Sequence, residues 1–112
     1  MSHDHLELRS IAFHRAVAEK LRMRPELLSV AVENLDRWSQ PAGRSQPYFD
    51  EWRVMLALPF TELLRVMVED TPHMRELRQS TPFAGILEPK ERWRVYDTFE
   101  SGTHHSGSGD DR

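Results

Sequence analysis

Five of the seven prolines stand where a helix can begin, and this punctuation constrains the fold more than any other feature of the sequence. Proline has no N–H to donate, and its fixed φ angle suits the first helical turn, whereas inside a helix it costs about 3 kcal/mol. The five are Pro25, Pro47, Pro59, Pro72 and Pro89. They divide residues 1–100 into six segments, which the pattern predicts to be six helices.

Apolar residues recur at helical spacing inside these segments. The clearest stripe has positions i, i+3, i+4 and i+7 occupied by Phe60, Leu63, Leu64 and Met67. No segment shows the period of two that is typical of a strand, and no Asn-Gly hairpin turn is present. The sequence therefore predicts an all-α fold, a compact single-domain bundle of about six helices over residues 1–100. Residues 101–112 are polar with nothing to bury, and we expect them to form a disordered tail.

Composition excludes several classes of protein. The absence of cysteine excludes disulfides and thiolate metal sites. No apolar run approaches the ~20 residues that a membrane-spanning helix needs, so no membrane association is expected. The first residues are polar and acidic, unlike a secretory signal, which favours a cytoplasmic location. The net charge of −3 counts against a generally basic nucleic-acid binder.

The basic residues are almost all arginine, with lysine only at positions 20 and 90. Codon bias in a GC-rich bacterial genome explains this preference most simply. The functional alternative is an arginine-rich surface for an acidic partner, since the guanidinium group pairs with carboxylates in a bidentate manner.

Residues 78–93 interrupt the helical pattern but remain apolar, with Phe83, Ile86 and Leu87 inside a loop. Surface loops are normally polar because their backbone must stay hydrated. We therefore expect this loop to pack among the helices and to seat the last helix, started by Pro89, on the bundle. Gly85 is the residue expected at positive φ, which glycine adopts without steric cost.

No arrangement of residues predicts catalysis, a metal or a cofactor. Four of the six histidines lie near the termini, and no helix carries His-Glu-x-x-His or Glu-x-x-His spacing. His14 and His73 lie within helices, but no Ser, Asp or Glu is tied to either by spacing, so both are expected at the surface. Near a helix N-terminus, protonation of His73 should be disfavoured by the helix dipole. The sequence thus predicts a protein that is not an enzyme.

The aromatic residues favour binding to another protein. Together with five methionines they exceed what so small a core comfortably hides, and Trp, Tyr, Met and Arg are enriched at interfaces. The candidate partner-binding residues are Trp52, Arg75, Arg78, Gln79, Phe83, Trp93 and Tyr96. Phe83 has a second interpretation as a core residue. Whether the chain also forms homo-oligomers is left open.

A helix-turn-helix within residues 59–80 is the alternative function. Its second helix carries Arg75, Arg78 and Gln79, which are able to contact base edges or phosphates. Glu76 on the same helix, and the acidic pair at residues 69–70, oppose this interpretation because a recognition helix usually lies in a basic field.

Five segments resemble a group of small bacterial all-helical proteins of undetermined activity. The segments are residues 12–21 (AFHRAVAEKL), 31–38 (AVENLDRW), 51–52 (EW), 77–87 (LRQSTPFAGIL) and 91–93 (ERW). The resemblance spans residues 6–95 and is most specific at Phe83, Ala84 and Gly85. Such proteins look like the smaller members of toxin–antitoxin-type gene pairs, which implies binding and neutralising a partner protein. The resemblance implies no catalytic residues.

Overall fold

The all-α prediction is confirmed by a computed structural model that describes residues 2–40, 43 and 45–104, with side chains at 6–40, 43 and 45–98. Six α-helices and no strand are present in this part of the chain. The helices are α1 (Ser2–Met23), α2 (Leu28–Trp38), α3 (Gln46–Leu56), α4 (Phe60–Val66), α5 (Pro72–Arg78) and α6 (Pro89–His104). Residues 101–104 of the predicted tail continue α6, and residues 105–112 lie outside the described residues.

Four of the five predicted prolines mark the start of an α-helix. Pro72 occupies the first position of α5, and the Thr71 hydroxyl caps this helix by accepting the backbone N–H of Met74 at 3.1 Å. Pro59 separates α3 from α4, because proline lacks the N–H group that a continuous helix would need at this position. Pro25 differs from the prediction, because it begins a 3₁₀ turn, Pro25–Leu27, and α2 follows only at Leu28.

The predicted stripes face one shared core. In α4, Leu63 and Leu64 are buried, as is Met67 directly after the helix, and the half-buried Phe60 packs against this core. In α2, Ala31 and Leu35 are fully buried. Every helix from α1 to α5 contributes to the core, together with the segment that follows α5. The buried apolar members are Val17, Ala18, Leu21, Ala31, Leu35, Trp52, Met55, Leu63, Leu64, Met67, Met74, Leu77, Phe83, Ile86 and Leu87.

The loop between α5 and α6, residues 79–88, penetrates this core as the sequence predicted. Phe83 is fully buried, and Ile86 and Leu87 are almost so. The ring of Phe83 meets Trp52 edge-to-face with 5.3 Å between ring centroids. We call residues 79–88 the α5–α6 loop; the burial of its apolar side chains confirms that the loop is a structural plug.

Two side chains from other helices satisfy the buried backbone near this loop. Asn34 of α2 donates its amide N–H groups to the carbonyl oxygens of Pro82 and Ala84, both at 2.9 Å. Trp52 of α3 donates its indole N–H to the carbonyl oxygen of Leu77 at 3.0 Å. A buried carbonyl without a partner would cost about 1–3 kcal/mol. These bonds remove that cost, and the loop can therefore enter the core.

Gly85 has a φ angle of +90°, as predicted, and its replacement by alanine should strain the α5–α6 loop. An added Cβ would meet only Cγ1 of Val30, at 3.8 Å, so the cost is conformational rather than a clash. We expect Gly85→Ala to lower the free energy of unfolding by about 1–2 kcal/mol. Urea denaturation would measure this, with exposed Ala84→Gly as the neighbouring control. An unchanged midpoint for Gly85→Ala would contradict the assignment of strain.

Helix α6 lies along α1 in the opposite direction. Near its start, Glu91 forms an ion pair with Lys20 at 2.5 Å, and one and a half turns later Tyr96 lies beneath Arg9. The backbone N–H of Glu88 donates to the same Glu91 carboxylate at 2.8 Å, which caps the first turn of α6. These contacts fix which side of α6 faces α1 and which side faces outward.

Candidate functional site

Three of the seven predicted partner-binding residues lie in the interior. Trp52 and Phe83 are fully buried against each other, and Arg78 is only 3% exposed. Their predicted place on a binding surface is therefore corrected. Trp52 is buried because its indole N–H finds the Leu77 carbonyl oxygen, which removes the usual reason for keeping a tryptophan at the surface.

Two further candidates lie on or beside α5. Arg75 directs its Nε to the carboxylates of Glu7, at 2.9 Å, and Asp70, at 2.8 Å. Gln79 is exposed at the C-terminal end of α5. Arg75 is thus already engaged by acidic groups of the protein itself, whereas Gln79 remains available to solvent.

Trp93 and Tyr96 are the two candidates that the structure brings together at the surface. Trp93 is 72% exposed, whereas Tyr96 is half-buried beside it on α6. The N-terminal half of α1 adds the side chains of Leu6 and Arg9, and Arg92 of α6 completes the group. We call Leu6, Arg9, Arg92, Trp93 and Tyr96 the α1–α6 patch.

Arg9 gives this patch its electrostatic character. Its guanidinium carbon lies 4.0 Å from the centroid of the Tyr96 ring, a cation–π contact. Its Nε is buried without a hydrogen-bond partner. Sequence reasoning missed Arg9 because it and Tyr96 belong to opposite ends of the chain, and no local spacing signals their contact. Arg92 was also missed, although its position next to Trp93 in the sequence offered a signal.

A pocket of about 350 Å³ opens beneath the patch, between α1, the α5–α6 loop and α6. Three arginines line it: Arg9, Arg78 and Arg92. None of the described residues that line it is acidic. Its apolar walls come from Leu6, Phe13, Tyr96, Ala84 and Gly85. We call it the Arg78 pocket, after the arginine that the structure buries most deeply.

His14 also lines this pocket, and its predicted exposure is wrong: the side chain is 1% exposed. Its Nδ1 lies 2.8 Å from the Ser10 carbonyl oxygen, which can only accept, so Nδ1 carries the proton. Nε2 therefore accepts the Thr81 hydroxyl at 2.9 Å, and Thr81 in turn accepts the N–H of Phe83 at 3.3 Å. The histidine ties α1 to the α5–α6 loop, and no sequence spacing indicated this pairing.

Burial holds His14 in the neutral form. Desolvation lowers its pKa from 6.5 to about 4; the hydrogen bond to Ser10 opposes this effect, and the nearby charge of Arg78 adds to it. A histidine with so low a pKa cannot take up a proton at neutral pH without disturbing its surroundings. The geometry therefore gives His14 a structural role in the loop rather than that of a general base.

His73 is exposed, as predicted, and contacts the carboxylate of Glu51 from α3. The hydrogen bond and the charge of Glu51 raise the pKa of His73 above its usual value. This corrects the expectation that the helix dipole disfavours protonation, because the direct partner outweighs the dipole. The pair joins α5 to α3 at the surface.

In the described part of the chain, no three His, Asp or Glu side chains converge on a point where a metal ion could bind. No helix described here is both long and apolar enough to cross a membrane. The side chains of His3, His5, His104 and His105 lie outside the described residues.

Comparisons with known proteins add no relative: no family model, no curated protein and no solved structure matches the chain.

Proposed function

We propose that this chain is a regulatory module that binds another protein through the α1–α6 patch and occludes a site on it, in the manner of an antitoxin. The observation that carries the proposal is the exposure of Trp93. Its side chain is 72% exposed beside the Arg9–Tyr96 contact, whereas Trp52 of the same chain is fully buried. The resemblance to members of toxin–antitoxin-type pairs points in the same direction.

The composition of the patch is that of a binding hot spot. Trp, Tyr and Arg are the residue types whose truncation most often costs 2 kcal/mol or more in an interface. A single exposed apolar residue is ordinary. The surface region of Trp93, however, also contains the exposed Leu6 of α1 and two arginines. An indole that becomes buried on binding would supply the apolar contact.

The charges of the patch suggest the chemistry of its partner. Arg9 and Arg92 flank the aromatic side chains, with Asp97 as the acidic residue beside them. A complementary surface would offer carboxylates around an apolar hollow that receives Trp93. Such a surface would be covered by α1 and α6 together, which is the occlusion that the proposal requires.

DNA binding through residues 59–80 receives less support from the geometry. Arg78 is buried and donates its Nη1 to the carbonyl oxygens of Met67, at 3.2 Å, and Glu69, at 2.7 Å. Arg75 is paired with Asp70 and Glu7. Two of the three side chains assigned to read DNA would first have to leave partners within the protein, so only Gln79 is free to approach a base.

The test of the proposal is capture of a partner from the native cell followed by substitution in the patch. We expect a stoichiometric protein to co-purify with the tagged chain, and Trp93→Ala to weaken its affinity about 30-fold, as expected for a hot spot worth 2 kcal/mol. Val54→Ala is the matched control, because Val54 is also exposed, at 67%, but lies on α3 outside the patch.

Two results would count against the proposal. The first is the absence of any stoichiometric protein in the capture. The second is equal affinity for wild type and Trp93→Ala, with both folded to the same thermal midpoint. If the partner is toxic when expressed alone, co-expression of wild type should restore growth and co-expression of Trp93→Ala should not.

A further inference from the structure

The Arg78 pocket contains buried cationic groups that the fold leaves incompletely satisfied. Nη1 of Arg78 bonds to two carbonyl oxygens at the end of α4, but its Nε and Nη2 are buried and have no hydrogen-bond partner. Nε of Arg9, which lines the same pocket, is also buried without a hydrogen-bond partner. A buried donor without an acceptor is costly, and such groups are rare in folded proteins.

The walls of the pocket complement these donors. Leu6, Phe13 and Tyr96 provide apolar surface, and Arg92 is exposed at the rim. None of the described lining residues carries a carboxylate; Asp70 and Glu7, whose charges act on Arg78, lie outside the lining. Burial keeps His14 neutral, so it adds no charge of either sign.

We propose that the Arg78 pocket is a binding site for a small carboxylic acid with an apolar body. The carboxylate would accept N–H groups from Arg78 and from Arg9 or Arg92, in the fork geometry that guanidinium groups favour. The apolar body would lie between Phe13 and Tyr96. The volume, about 350 Å³, lies at the small end of ligand pockets and suits an acid of roughly ten non-hydrogen atoms.

The apolar walls select a carboxylate over inorganic phosphate. Phosphate would place polar oxygens against Leu6 and Phe13, which offer it no hydrogen bonds. A carboxylate with a hydrocarbon or aromatic body meets donors at one end and apolar surface at the other. Nε and Nη2 of Arg78 expose almost no surface, so the ligand would reach them only after neighbouring side chains move.

This site stands independently of the proposed protein partner. It needs no second protein. Four of the five patch residues also line the pocket, but Trp93, on which the proposed function rests, is not among them. Binding of the acid without capture of a protein would support the site and contradict the proposed function. Capture of a protein without binding of the acid would support the proposed function and contradict the site.

The test is a titration of the ¹⁵N-labelled full chain with three probes at ~0.15 M ionic strength, where non-specific surface pairing is largely screened. The probes are phenylacetate, 2-phenylethanol and inorganic phosphate. We expect phenylacetate to shift the Arg78 Nε–H and Gly85 amide signals with a dissociation constant of about 1 mM, and the other two probes to bind roughly 5-fold more weakly or worse.

Substitutions locate the site without disturbing the buried arginine, whose removal could unfold the chain. Arg92→Ala should weaken the binding of phenylacetate roughly 5-fold or more, because a charged hydrogen-bond donor is lost. Arg94→Ala should leave it unchanged, because Arg94 lies on the same helix but lines a separate groove beside Ala12 and Ala16. The absence of saturable shifts would overturn the proposal, as would equal weakening by the two variants. Equal binding of 2-phenylethanol or phosphate would overturn the assigned ligand class.

Discussion

Replacing Phe83 by alanine is expected to lower the free energy of unfolding by about 3–5 kcal/mol, the range for truncating a buried phenylalanine. The side chain is fully buried and contacts Trp52 and His14 edge-to-face, with ring centroids 5.3 and 5.9 Å away. Its removal would leave a cavity where the α5–α6 loop enters the core. The loop can collapse little to fill it, because Asn34 fixes its backbone on both sides of Phe83.

Urea denaturation of wild type and variant would measure this loss. A domain of this size has a total stability of about 5–15 kcal/mol, so Phe83→Leu, expected to cost under ~1.5 kcal/mol, provides a variant that stays folded. Trp93→Ala is the surface control and should change stability by no more than ~0.5 kcal/mol. A near-neutral Phe83→Ala that loses partner binding would instead make Phe83 an interface residue.

Acidification from pH 6.5 to pH 4 is expected to remove about 2–3 kcal/mol of stability through His14 alone. Its pKa falls from 6.5 in the unfolded chain to about 4 in the folded protein. Between these values the unfolded chain binds a proton that the folded protein rejects, so stability falls as the pH falls. The contribution is complete about one pH unit above 6.5, and the loss from His14 ends about one unit below its folded pKa.

Comparison of variants isolates this effect from the protonation of carboxylates. We expect His14→Gln, although less stable at neutral pH, to show a smaller loss between pH 6.5 and 4 than wild type. His73→Gln should lose as much stability between pH 6.5 and 4 as wild type does. The pKa of His73 is raised in the folded protein, so the stability that His73 contributes is present in acid and is lost as the pH rises. An NMR titration in which the His14 ring titrates near 6.5 would refute the prediction.

The positions of the helices could be predicted because they depend on local chemistry. Proline at a helix start and the stripe through Leu63, Leu64 and Met67 both act within a few residues. The structure confirms the stripe and four of the five proline starts. The entry of Phe83 into the core and the positive φ of Gly85 were predicted for the same reason. An apolar segment with one glycine has few other ways to satisfy both its side chains and its backbone.

The candidate site could be predicted only in part. Trp93 and Tyr96 were named from their residue types, but Trp52, which has the same type as Trp93, is buried. The difference lies in a contact between distant segments, the indole N–H of Trp52 on the Leu77 carbonyl oxygen. Residue type alone cannot distinguish an aromatic side chain that finds a buried partner from one that remains in solvent.

By itself, then, the sequence determined the helices, four of the five starts at proline and the plug between α5 and α6, because these follow from preferences that act over one or two turns. Only the tertiary structure decided that His14 is buried and neutral, and that Arg9, Arg78 and Arg92 meet around one pocket. Those residues come from α1, α5 and α6, and their burial and charge depend on neighbours that the fold supplies. The chemistry proposed for this protein lies in those long-range contacts.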